Sequence, residues 1–464
     1  MNEKLEEFYR FLNGKRVALL GVGVSNTPLA GMFAAHGARV TVRDRRSREK
    51  LGDTARELEE AGAALRLGDD YLEGLSEEEI VFRAPGVRYT LPELAGARRG
   101  GVAVTSEMEL FFELCPCRIV AVTGSEGKTT TTTVLSKMFA AQGFTVHLGG
   151  NIGRALLPEI ERIQKTDIAV VELSSFQLIS MRRSPDIAVI TNITPNHLDV
   201  HKDMAEYVAA KLNIVRHQNA FGRAVLNLDY ETTRTLAPET RGECVFFSRR
   251  EPVEAGAYLC ADGTVLHTGR GGAVPVMRRE DIALPGDHNV ENFLAAVCAA
   301  WGLVTPENMR QVARTFRGVE HRIEWVRTLG GADYYNDSIA TTPTRTIAGL
   351  NSFQRPVVLI AGGSDKRIPF GVMGPKVVEK VRTLILLGVT AEKIERAVRE
   401  TPGFMPGKPE IVRVGSLEEA VHAARAAARP GDIVTLSPAC ASFDMFPNFE
   451  ARGDRYRALV QALE

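Results

Sequence analysis

An eight-residue stretch, Thr123 to Thr130 (TGSEGKTT), limits the possible fold more than any other part of this sequence. It follows a short apolar strand, Arg118 to Val122, and it precedes a helical pattern. Glycines in such a turn let backbone N–H groups converge on a phosphate, and the helix N-terminus adds a partial positive charge. We therefore predict a phosphate-binding loop (P-loop) in which Lys128 contacts phosphate oxygens and Thr129 places its hydroxyl on Mg²⁺.

The P-loop departs in one respect from the common pattern. Val122 stands where the first glycine is usual, and Gly124 takes that role at a shorter spacing. The alternative interpretation is a turn that binds nothing. The strand before it and the helix after it favour phosphate binding.

The chain contains three segments in which apolar strands alternate with helical stretches. Such alternation predicts an α/β fold with parallel sheets covered on both faces. We expect three domains: a Rossmann-like domain over residues 1–106, a P-loop ATPase-type domain over 107–318 and a second Rossmann-like domain over 319–464. A Gly-rich stretch near residues 262–276 predicts a small antiparallel insert.

Composition excludes several classes of protein. The 464 residues carry 57 basic and 57 acidic side chains, and this balance argues against bulk nucleic-acid binding. No secretory leader or bilayer-length apolar run is evident, so we expect a cytoplasmic protein without membrane insertion. The six cysteines are scattered, and the lone Cys115-Pro116-Cys117 lacks the second pair of a zinc site. We expect reduced thiols.

Polar residues follow two apolar strands downstream of the P-loop. Glu172 ends one strand, and His197 and Asp199 follow another through the turn TPNHLD. Because the carboxyl ends of parallel strands share one edge of a sheet, we expect Glu172, His197 and Lys128 to meet there, with carboxylates at the strand ends as the source of metal ligands. A solvated glutamate and a turn-capping histidine are the alternatives.

Lys211 lies on the apolar face of a helical stretch, in line with Met204, Tyr207, Val208 and Val215. A lysine in that position either extends its ammonium to solvent or is held inside for a purpose. The pattern alone slightly favours the ammonium that reaches solvent.

The first segment contains an incomplete dinucleotide fingerprint, GVGVSN, from Gly21 to Asn26. Asn26 stands in place of the third glycine, and Asp44 ends the next strand, where a ribose- or base-binding acid is expected. We predict a nucleotide cradle. A hydride-transfer dehydrogenase is the weaker interpretation, because it leaves the P-loop without a role.

The motifs, in their order along the chain, resemble those of the Mur ligases over essentially the whole length. They are GSEGKTT, GNIG (Gly150 to Gly153), ELSSFQL, TPNHLDVH, Lys211, HNVEN (His288 to Asn292), His321-Arg322 and NDSIATTP. The segments NDSIAT and LSPACASFDMFPNFEARGDRY are similar to those of the members that add D-glutamate. The DYAH-type and DNPR strings of sister enzymes do not occur.

The resemblance implies an ATP-dependent ligase of peptidoglycan precursor synthesis that joins D-glutamate to UDP-N-acetylmuramoyl-L-alanine through an acyl phosphate, with ATP and Mg²⁺. We also expect a monomer. Two rivals remain: another amino-acid ligase of the Mur and folylpolyglutamate superfamily, and a P-loop regulatory protein without ligase activity.

The resemblance further implies roles for individual residues. Catalysis falls to Lys128, His197 and a carbamylated Lys211. The implied ATP-binding residues are Gly124, Ser125, Glu126, Gly127, Lys128, Thr129, Thr130, Asn292, Arg322 and Asp337. The implied metal ligands are Thr129, Glu172, His197 and Lys211. The implied substrate-binding residues are Ser25, Asn26, Asp44, Arg46, Asn151, Gln177 and His197 for the nucleotide substrate, and Thr341, Lys366, Ser442 and Phe449 for D-glutamate.

Two positions depart from the family pattern. Ile339 stands where many members have lysine (NDSKAT), so any charge role of that lysine is absent or moved. Ala84, in RAPGV, stands where serine is usual, which weakens any hydroxyl contact to the nucleotide substrate. Without the family match, Lys366 would be interpreted as a solvated loop lysine.

Overall fold

The computed structural model describes residues 3–197, 200–284, 286–366 and 368–464. The chain divides into two units, residues 1–316 and 317–464. Both units are α/β in class, with sheets that are mainly parallel, as predicted. The predicted boundary near residue 318 lies close to this division, and a second sheet begins in the first unit after residue 106. The division into three domains stays a prediction.

The first sheet of unit 1 is entirely parallel. Its segment contains α1 (Glu3–Leu12), β1 (Arg16–Leu20), α2 (Thr27–Ala35), β2 (Arg39–Asp44), α3 (Arg48–Leu51), α4 (Asp53–Glu60), β3 (Ala64–Leu67), β4 (Ile80–Arg83), α5 (Pro92–Arg99) and β5 (Ala103–Thr105). The strand order is β3-β2-β1-β4-β5. The order reverses between β1 and β4, so the turns after these two strands flank the crevice where α/β sheets bind ligands.

The second sheet of unit 1 has nine strands and contains the P-loop. Its segment contains α6 (Glu107–Leu114), β6 (Arg118–Thr123), α7 (Lys128–Ala141), β7 (Val146–Gly150), β8 (Ile168–Glu172), α8 (Ser175–Leu178), β9 (Ile187–Ile190), α9 (Met204–Arg216), β10 (Arg223–Asn227), α10 (Glu231–Arg234), β11 (Glu243–Ser248), β12 (Gly256–Leu259), β13 (Thr264–Gly269), β14 (Gly272–Arg278), α11 (Asp287–Ala300) and α12 (Pro306–Thr315). The strand order is β14-β13-β12-β11-β10-β9-β6-β8-β7.

The predicted antiparallel insert is confirmed as the hairpin of β13 and β14. It pairs antiparallel with β12, so it extends the edge of the nine-stranded sheet. At the other side of that sheet, β6 lies between β8 and β9. The P-loop therefore emerges between the ends of the two strands that carry Glu172 and the TNITPNH segment.

Unit 2 forms a six-stranded sheet with one antiparallel edge strand. It contains β15 (Glu324–Leu329), β16 (Ala332–Asn336), α13 (Pro343–Asn351), β17 (Val357–Gly362), α14 (Gly374–Lys380), β18 (Val381–Leu387), α15 (Ala391–Arg399), β19 (Glu410–Arg413), α16 (Leu417–Ala427), β20 (Ile433–Leu436) and α17 (Phe449–Ala462). The order is β15-β16-β20-β17-β18-β19, and only β15 pairs antiparallel. Short 3₁₀ helices elsewhere cover Asp69–Leu72, Leu75–Glu77, Leu157–Arg162, Ala237–Glu239, Arg279–Asp281 and Gly371–Met373.

The central strands are apolar along their whole length because helices cover both of their faces. All six residues of β17 are buried, and they alternate between two hydrophobic cores, one on each side of the sheet. Side-chain caps fix where key helices begin. Ser106 accepts the Glu109 N–H at 3.2 Å to start α6, and Asp203 accepts the Glu206 N–H at 2.8 Å to start α9.

Candidate active site

The P-loop joins β6 to the fourteen-residue helix α7, as predicted. Gly127 is the N-cap of α7, with a φ of 76°, and Gly124 has a φ of 154°. Both values favour glycine. The Lys128 ammonium donates a hydrogen bond to the carbonyl of Ser125 at 2.9 Å, so it folds back over the loop. The loop presents a helix N-terminus and a cation together, which is the chemistry that binds a phosphate.

The loop after β9 fixes the shape of the P-loop. The Thr191 hydroxyl donates to the Glu126 carbonyl at 2.6 Å, and the Asn192 side chain accepts the Glu126 N–H at 2.9 Å. The hydroxyl of Ser125 donates to the Thr194 carbonyl at 2.9 Å. Sequence reasoning missed these three supporting residues. Their position directly after an apolar strand that neighbours β6 was the available signal.

Asn292, predicted to bind ATP, lies against the P-loop although it is distant in sequence. A Cβ atom on Gly127 would lie 2.3 Å from the Asn292 Oδ1 atom, and the hydroxyl of Thr131 donates to that same oxygen at 3.2 Å. The Asn292 amide in turn donates to Asn289 at 3.1 Å. Helix α11 therefore packs its polar N-terminal part against the start of α7.

The carboxylate of Glu172 is buried at the end of β8, and 1 % of the residue is exposed. Its Oε1 atom accepts the side-chain amide of Asn151 at 2.8 Å. Its Oε2 atom is buried with no hydrogen-bond partner. A buried carboxylate oxygen without a donor is costly, so this oxygen fits a cation ligand.

Mg²⁺ fits this position by the chemistry of the donors. Glu172 ends β8, beside β6, and buried Thr129 lies in the first turn of α7. Among the described residues, no cluster of three or more histidine, cysteine, aspartate or glutamate side chains forms a metal site.

Lys211 is held inside the protein, so the expectation that its ammonium reaches solvent is wrong. Its residue is 1 % exposed, and its Nζ atom donates to the Gly124 carbonyl at 2.8 Å and to the Thr123 hydroxyl at 3.2 Å. Burial and the charge of Lys128 lower the pKa of Lys211 well below its usual value, against an opposing effect of Glu172. A P-loop carbonyl and the Thr123 hydroxyl supply the acceptors that the helical pattern could not reveal.

His197 is exposed and has a φ of 55°, an uncommon conformation that strained functional turns favour. Its ring lies edge-on to Phe176, with ring centres 5.1 Å apart. Asp199 falls outside the described residues. His201, which sequence reasoning missed, stacks on Phe176 at 5.3 Å and bonds the Ser175 hydroxyl at 2.9 Å. His201 thus ties this segment to α8.

Gln177, predicted to contact substrate, takes part in the capping box of α8. Its Oε1 atom accepts the Ser174 N–H at 3.0 Å and the Ser174 hydroxyl at 2.9 Å.

The buried Arg83 at the end of β4 donates to the Phe176 carbonyl at 2.9 Å and to the Val87 carbonyl at 2.8 Å. Arg83 therefore links the end of the first sheet to α8, a connection that the sequence did not predict.

The turn after β1 is closed by an ion pair. Asp44 accepts the Val22 N–H at 2.7 Å and the Arg46 guanidinium at 2.8 and 2.9 Å. Burial raises the pKa of Asp44, but the bonds from Arg46 and Val22 outweigh it and hold the pKa below its usual value. The predicted pair Asp44 and Arg46 is therefore brought together at the crevice of the first sheet.

Asn26 is buried between the two central strands of that sheet. Its amide donates to the carbonyls of Leu20 at 3.1 Å and Phe82 at 3.2 Å, and its Oδ1 atom is buried without a partner. Ser25, beside it, is half-buried. Asn26 in the third glycine's place thus holds the ends of β1 and β4 together.

In unit 2, Asp337 follows β16 and is buried. Its carboxylate accepts the Ser437 hydroxyl at 2.7 Å and the Ile323 N–H at 3.3 Å. Burial raises the pKa of Asp337 to about 7, against these hydrogen bonds and the charges of Arg322 and Arg345. The predicted pair Asp337 and Arg322 therefore lies in one electrostatic neighbourhood, together with Arg345.

Lys366 and Thr341, predicted for the same site, are in contact. The Lys366 ammonium donates to the Thr341 hydroxyl at 3.1 Å. Burial and the charges of Arg345 and Arg452 lower the pKa of Lys366. The positive charges of Lys366, Arg345 and Arg452 therefore act on the same site, and such a site suits an anionic ligand.

Ser442 and Phe449 lie in the chain segment that leads to Arg452. The Ser442 hydroxyl is buried without a partner, and the Phe449 carbonyl accepts the Ser338 hydroxyl at 2.8 Å. Buried Arg452 donates to the Ala441 carbonyl at 3.1 Å and to the Ser338 carbonyl at 2.9 Å. Arg452 thus connects NDSIAT to SPACAS, and sequence reasoning did not assign it a role.

Known proteins are similar to this chain over its whole length. The model of the Mur ligase middle domain matches residues 122–300, and that of the Mur ligase, glutamate ligase domain matches residues 321–440. A protein of Acetivibrio thermocellus called UDP-N-acetylmuramoylalanine--D-glutamate ligase is 51% identical over 466 residues, with 100% of both chains covered. Proteins with the same name from Clostridium kluyveri and Clostridium botulinum (strain 657) are each 46% identical, covering 99% and 100% of both chains respectively.

Solved structures support the fold. UDP-N-acetylmuramate-alanine ligase MurC of Thermotoga maritima has a TM-score of 0.55 at 18% identity, covering 97% of this chain and 99% of that chain. MurF of Acinetobacter baumannii has a TM-score of 0.55 at 16% identity, covering 98% of this chain and 92% of that chain.

The fold and the P-loop site define an α/β enzyme that binds a nucleoside triphosphate. Both domain models and the full-length relatives agree on what kind. The chain belongs to the Mur ligase family, whose members are ATP-dependent ligases. No helix among the described residues has the length and apolar character needed to cross a membrane.

Proposed function

We propose that this ligase joins the amine of D-glutamate to the carboxylate of UDP-N-acetylmuramoyl-L-alanine, with ATP converted to ADP and phosphate in peptidoglycan precursor synthesis. The observation that carries the proposal is the full-length similarity, at 46 to 51%, to relatives named for this reaction. Cationic side chains around Lys366 and Thr341 support an amino-acid substrate with two carboxylates.

ATP binds at the P-loop in this proposal. Backbone N–H groups of residues 127–129, at the start of α7, face the phosphates, and Lys128 exchanges its contact with Ser125 for a phosphate oxygen. Asn292, which lies against Gly127, belongs to this ATP-binding set. The alanyl carboxylate attacks the γ-phosphate, and Lys128 offsets the charge that develops on the transferred group.

Mg²⁺ would be held by Thr129 and Glu172, with His197 near a second ion. The buried, unpartnered Oε2 atom of Glu172 supports this assignment. When bound, the metal neutralises phosphate charge and orients the phosphate oxygens. Asn151 holds the other oxygen of Glu172 and so sets the direction of the carboxylate.

Lys211 is carbamylated in this proposal. Its burial and depressed pKa favour the neutral amine, and the neutral amine is the form that takes up CO₂. The product carries a carboxylate-like charge on a long arm, which suits Mg²⁺. Carbamylation would replace the present ammonium contacts to Thr123 and Gly124 with an anion beside Lys128.

The second step joins D-glutamate to the acyl phosphate. Its amine attacks the acyl carbon, a tetrahedral intermediate forms, and phosphate leaves. Lys366 and Thr341 hold a carboxylate of D-glutamate, and Ser442 and the Phe449 segment complete its site. The partnerless hydroxyl of Ser442 is available for a substrate hydrogen bond.

The nucleotide substrate binds through Ser25, Asn26, Asp44 and Arg46 at the first sheet, and through Asn151, Gln177 and His197 nearer the P-loop. We also propose that the enzyme is a cytoplasmic monomer, since its substrates are ATP and a nucleotide-linked sugar. The crevice between β1 and β4 supports the position of the first group.

An amine panel tests the proposal. With UDP-N-acetylmuramoyl-L-alanine and ATP, D-glutamate should release phosphate and give a product of the expected mass, whereas L-glutamate, L-alanine and diaminopimelate should not. Comparable turnover with L-alanine would assign the chain to a sister ligase. Phosphate release that needs no amine would favour the regulatory P-loop alternative.

A charge variant tests the amino-acid site. Lys366→Gln should raise the KM for D-glutamate ~10-fold or more, since one charged hydrogen bond is lost, and should leave the KM for ATP unchanged. Exposed Lys408 in the same unit provides the matched control as Lys408→Gln. An unchanged KM for D-glutamate in the Lys366 variant would remove Lys366 from the site.

A further inference from the structure

The Cys115-Pro116-Cys117 sequence has no part in the ligase chemistry, and its two thiols are in contact. It connects the end of α6 to the start of β6. The two Sγ atoms are 3.5 Å apart. Such a separation lets an S–S bond form through a small shift of the side chains. Among the six cysteines, all of which are described, this is the thiol–thiol contact that the structure contains.

The pair lies just before β6, at the end of this strand that is opposite the P-loop. Strand β6 starts next to Cys117, at Arg118, and reaches the P-loop only at its other end. Cys117 lines a surface groove of about 420 Å³, together with Lys165, Asp167 and Asp186. Cys115 is itself half-buried. A small solute can therefore reach the thiols without entering the ligase site.

The two thiols are electrostatically unequal. The hydrogen bond with Cys117 lowers the pKa of Cys115, against the effects of burial and of Asp186 and Asp167. The same bond and burial raise the pKa of Cys117. Cys115 is thus the thiol that forms a thiolate first, and Cys117 keeps its proton and donates it towards that thiolate.

Three of the other cysteines, Cys244, Cys298 and Cys440, lack these features. Burial raises the pKa of Cys298 to about 12 and that of Cys440 to about 11, and both side chains are buried. Burial also raises the pKa of Cys244. Oxidants react with the thiolate, so these three thiols are protected where Cys115 is not.

We propose that Cys115 and Cys117 form a reversible oxidation site that takes a small peroxide as its oxidant. The Cys115 thiolate attacks a peroxide oxygen, the O–O bond breaks, and Cys115 becomes a sulfenic acid while hydroxide or an alkoxide leaves. The leaving group takes up from solvent the proton that the Cys115 thiol released on ionisation, and so becomes water or an alcohol. The Cys117 sulfur then attacks the Cys115 sulfur, the S–O bond breaks, and the departing hydroxide takes the Cys117 proton as water. The two thiols together lose two electrons, and the O–O bond accepts them.

A peptide map of the full-length protein tests the site. Both cysteines lie between Arg99 and Arg118, a tryptic peptide that contains no other cysteine. The folded protein is treated with hydrogen peroxide, alkylated in denaturant and digested. We expect this peptide to lose two hydrogen atoms and carry no alkyl group, and dithiothreitol to reverse the change. Cys298 and Cys440 should remain alkylated.

Single variants separate the two roles. Cys117→Ser should stop at a sulfenic acid on Cys115, which dimedone labels. Cys115→Ser should leave Cys117 unlabelled at the same peroxide concentration. The proposal is overturned if both cysteines of the wild-type peptide stay alkylated while others oxidise, or if Cys115→Ser reacts as fast as the wild type. The wild-type map decides the question even if a variant fails to fold.

Discussion

The carboxylate of Glu172 is held on one side only, because Asn151 donates to its Oε1 atom at 2.8 Å while its Oε2 atom is buried without a partner. The amide fixes the orientation of the carboxylate and leaves one anionic oxygen uncompensated by the protein. Such an arrangement is unfavourable until a cation binds. The finding therefore identifies both the proposed Mg²⁺ ligand and the carboxylate oxygen, Oε2, that would face the ion.

Glu172→Gln should lower turnover ~100-fold or more, because it keeps the shape of the side chain and removes the anion. ATP affinity should also lose most of its dependence on Mg²⁺ concentration, as measured by titration calorimetry. Glu159, which makes surface ion pairs with Arg154 and Arg162, supplies the control as Glu159→Gln. Unchanged turnover and Mg²⁺ dependence would show that Glu172 is not a metal ligand.

Lys128→Ala should reduce ligation ~100-fold or more with little change in the melting temperature. The substitution removes a phosphate-binding cation, an ammonium that donates to the Ser125 carbonyl of its own loop. Lys137→Ala, on an exposed position of the same helix, is the matched control and should be active. A Lys128 variant that keeps more than about a tenth of wild-type turnover would contradict the P-loop assignment.

Lys211→Ala should lose most activity and recover part of it with added acetate, because acetate replaces the carboxylate of the carbamate. Isotope-labelled bicarbonate should give a carbamate signal in the wild type and none in the variant. The prediction of a carbamate rests on the burial of Lys211 and on its lowered pKa. An active variant, together with a wild type that shows no carbamate signal, would make Lys211 a structural lysine.

Ile339→Lys should leave kcat/KM for D-glutamate unchanged or slightly lower it. The Arg345 guanidinium already donates to the Ile339 carbonyl at 3.1 Å, and the charge of Arg322 also acts on Arg345. A further lysine therefore adds like charge to a cationic place. Ile339→Met controls for the change in shape. A large gain with lysine alone would show that the missing charge limits catalysis.

Glu107→Gln should change how stability depends on pH. Glu107 accepts the N–H groups of Leu156 and Leu157 on one oxygen, at 3.1 and 2.9 Å, so glutamine can keep both bonds. Burial raises the pKa of Glu107 from 4.5 to about 7, against those two bonds. The native state therefore binds this proton more tightly than the unfolded chain does, and wild-type stability from this group is lost as the pH rises from 4.5 through about 7.

Glutamine does not titrate, so the variant should gain stability relative to the wild type across that window, by at most ~1.4 kcal/mol per pH unit. Denaturation midpoints of both proteins at several pH values between 5 and 8 measure the difference. Parallel midpoints at all pH values would show that Glu107 ionises as it would in water.

The sequence predicted the parts of the molecule that depend on local pattern. The P-loop, the strand that ends at Glu172 and the strand that ends at Asp44 follow from apolar strands and glycines, and the structure has them where expected. The family resemblance assigned Lys366 and Thr341 to one site, and their side chains are in contact. Metal binding and substrate roles stay predictions.

Contacts between residues that are far apart in the sequence were not predictable from the sequence pattern. The helical face of Lys211 cannot show that the Gly124 carbonyl, far away in sequence, accepts its ammonium. Buried Arg83 and Arg452 bond mainly to backbone carbonyls, which leave no mark in a sequence. His201 was missed because its role follows from stacking on Phe176 rather than from spacing.

The close neighbours of the P-loop glycines affect the thermodynamics of nucleotide binding. A Cβ atom on Gly124 would lie 1.9 Å from the Thr191 hydroxyl, as one on Gly127 would lie 2.3 Å from Asn292. These two neighbours belong to other elements, so the loop has its binding shape before any ligand arrives. Little conformational entropy is then lost when phosphate binds. A larger side chain at either glycine would instead make loop reorganisation part of each encounter with ATP.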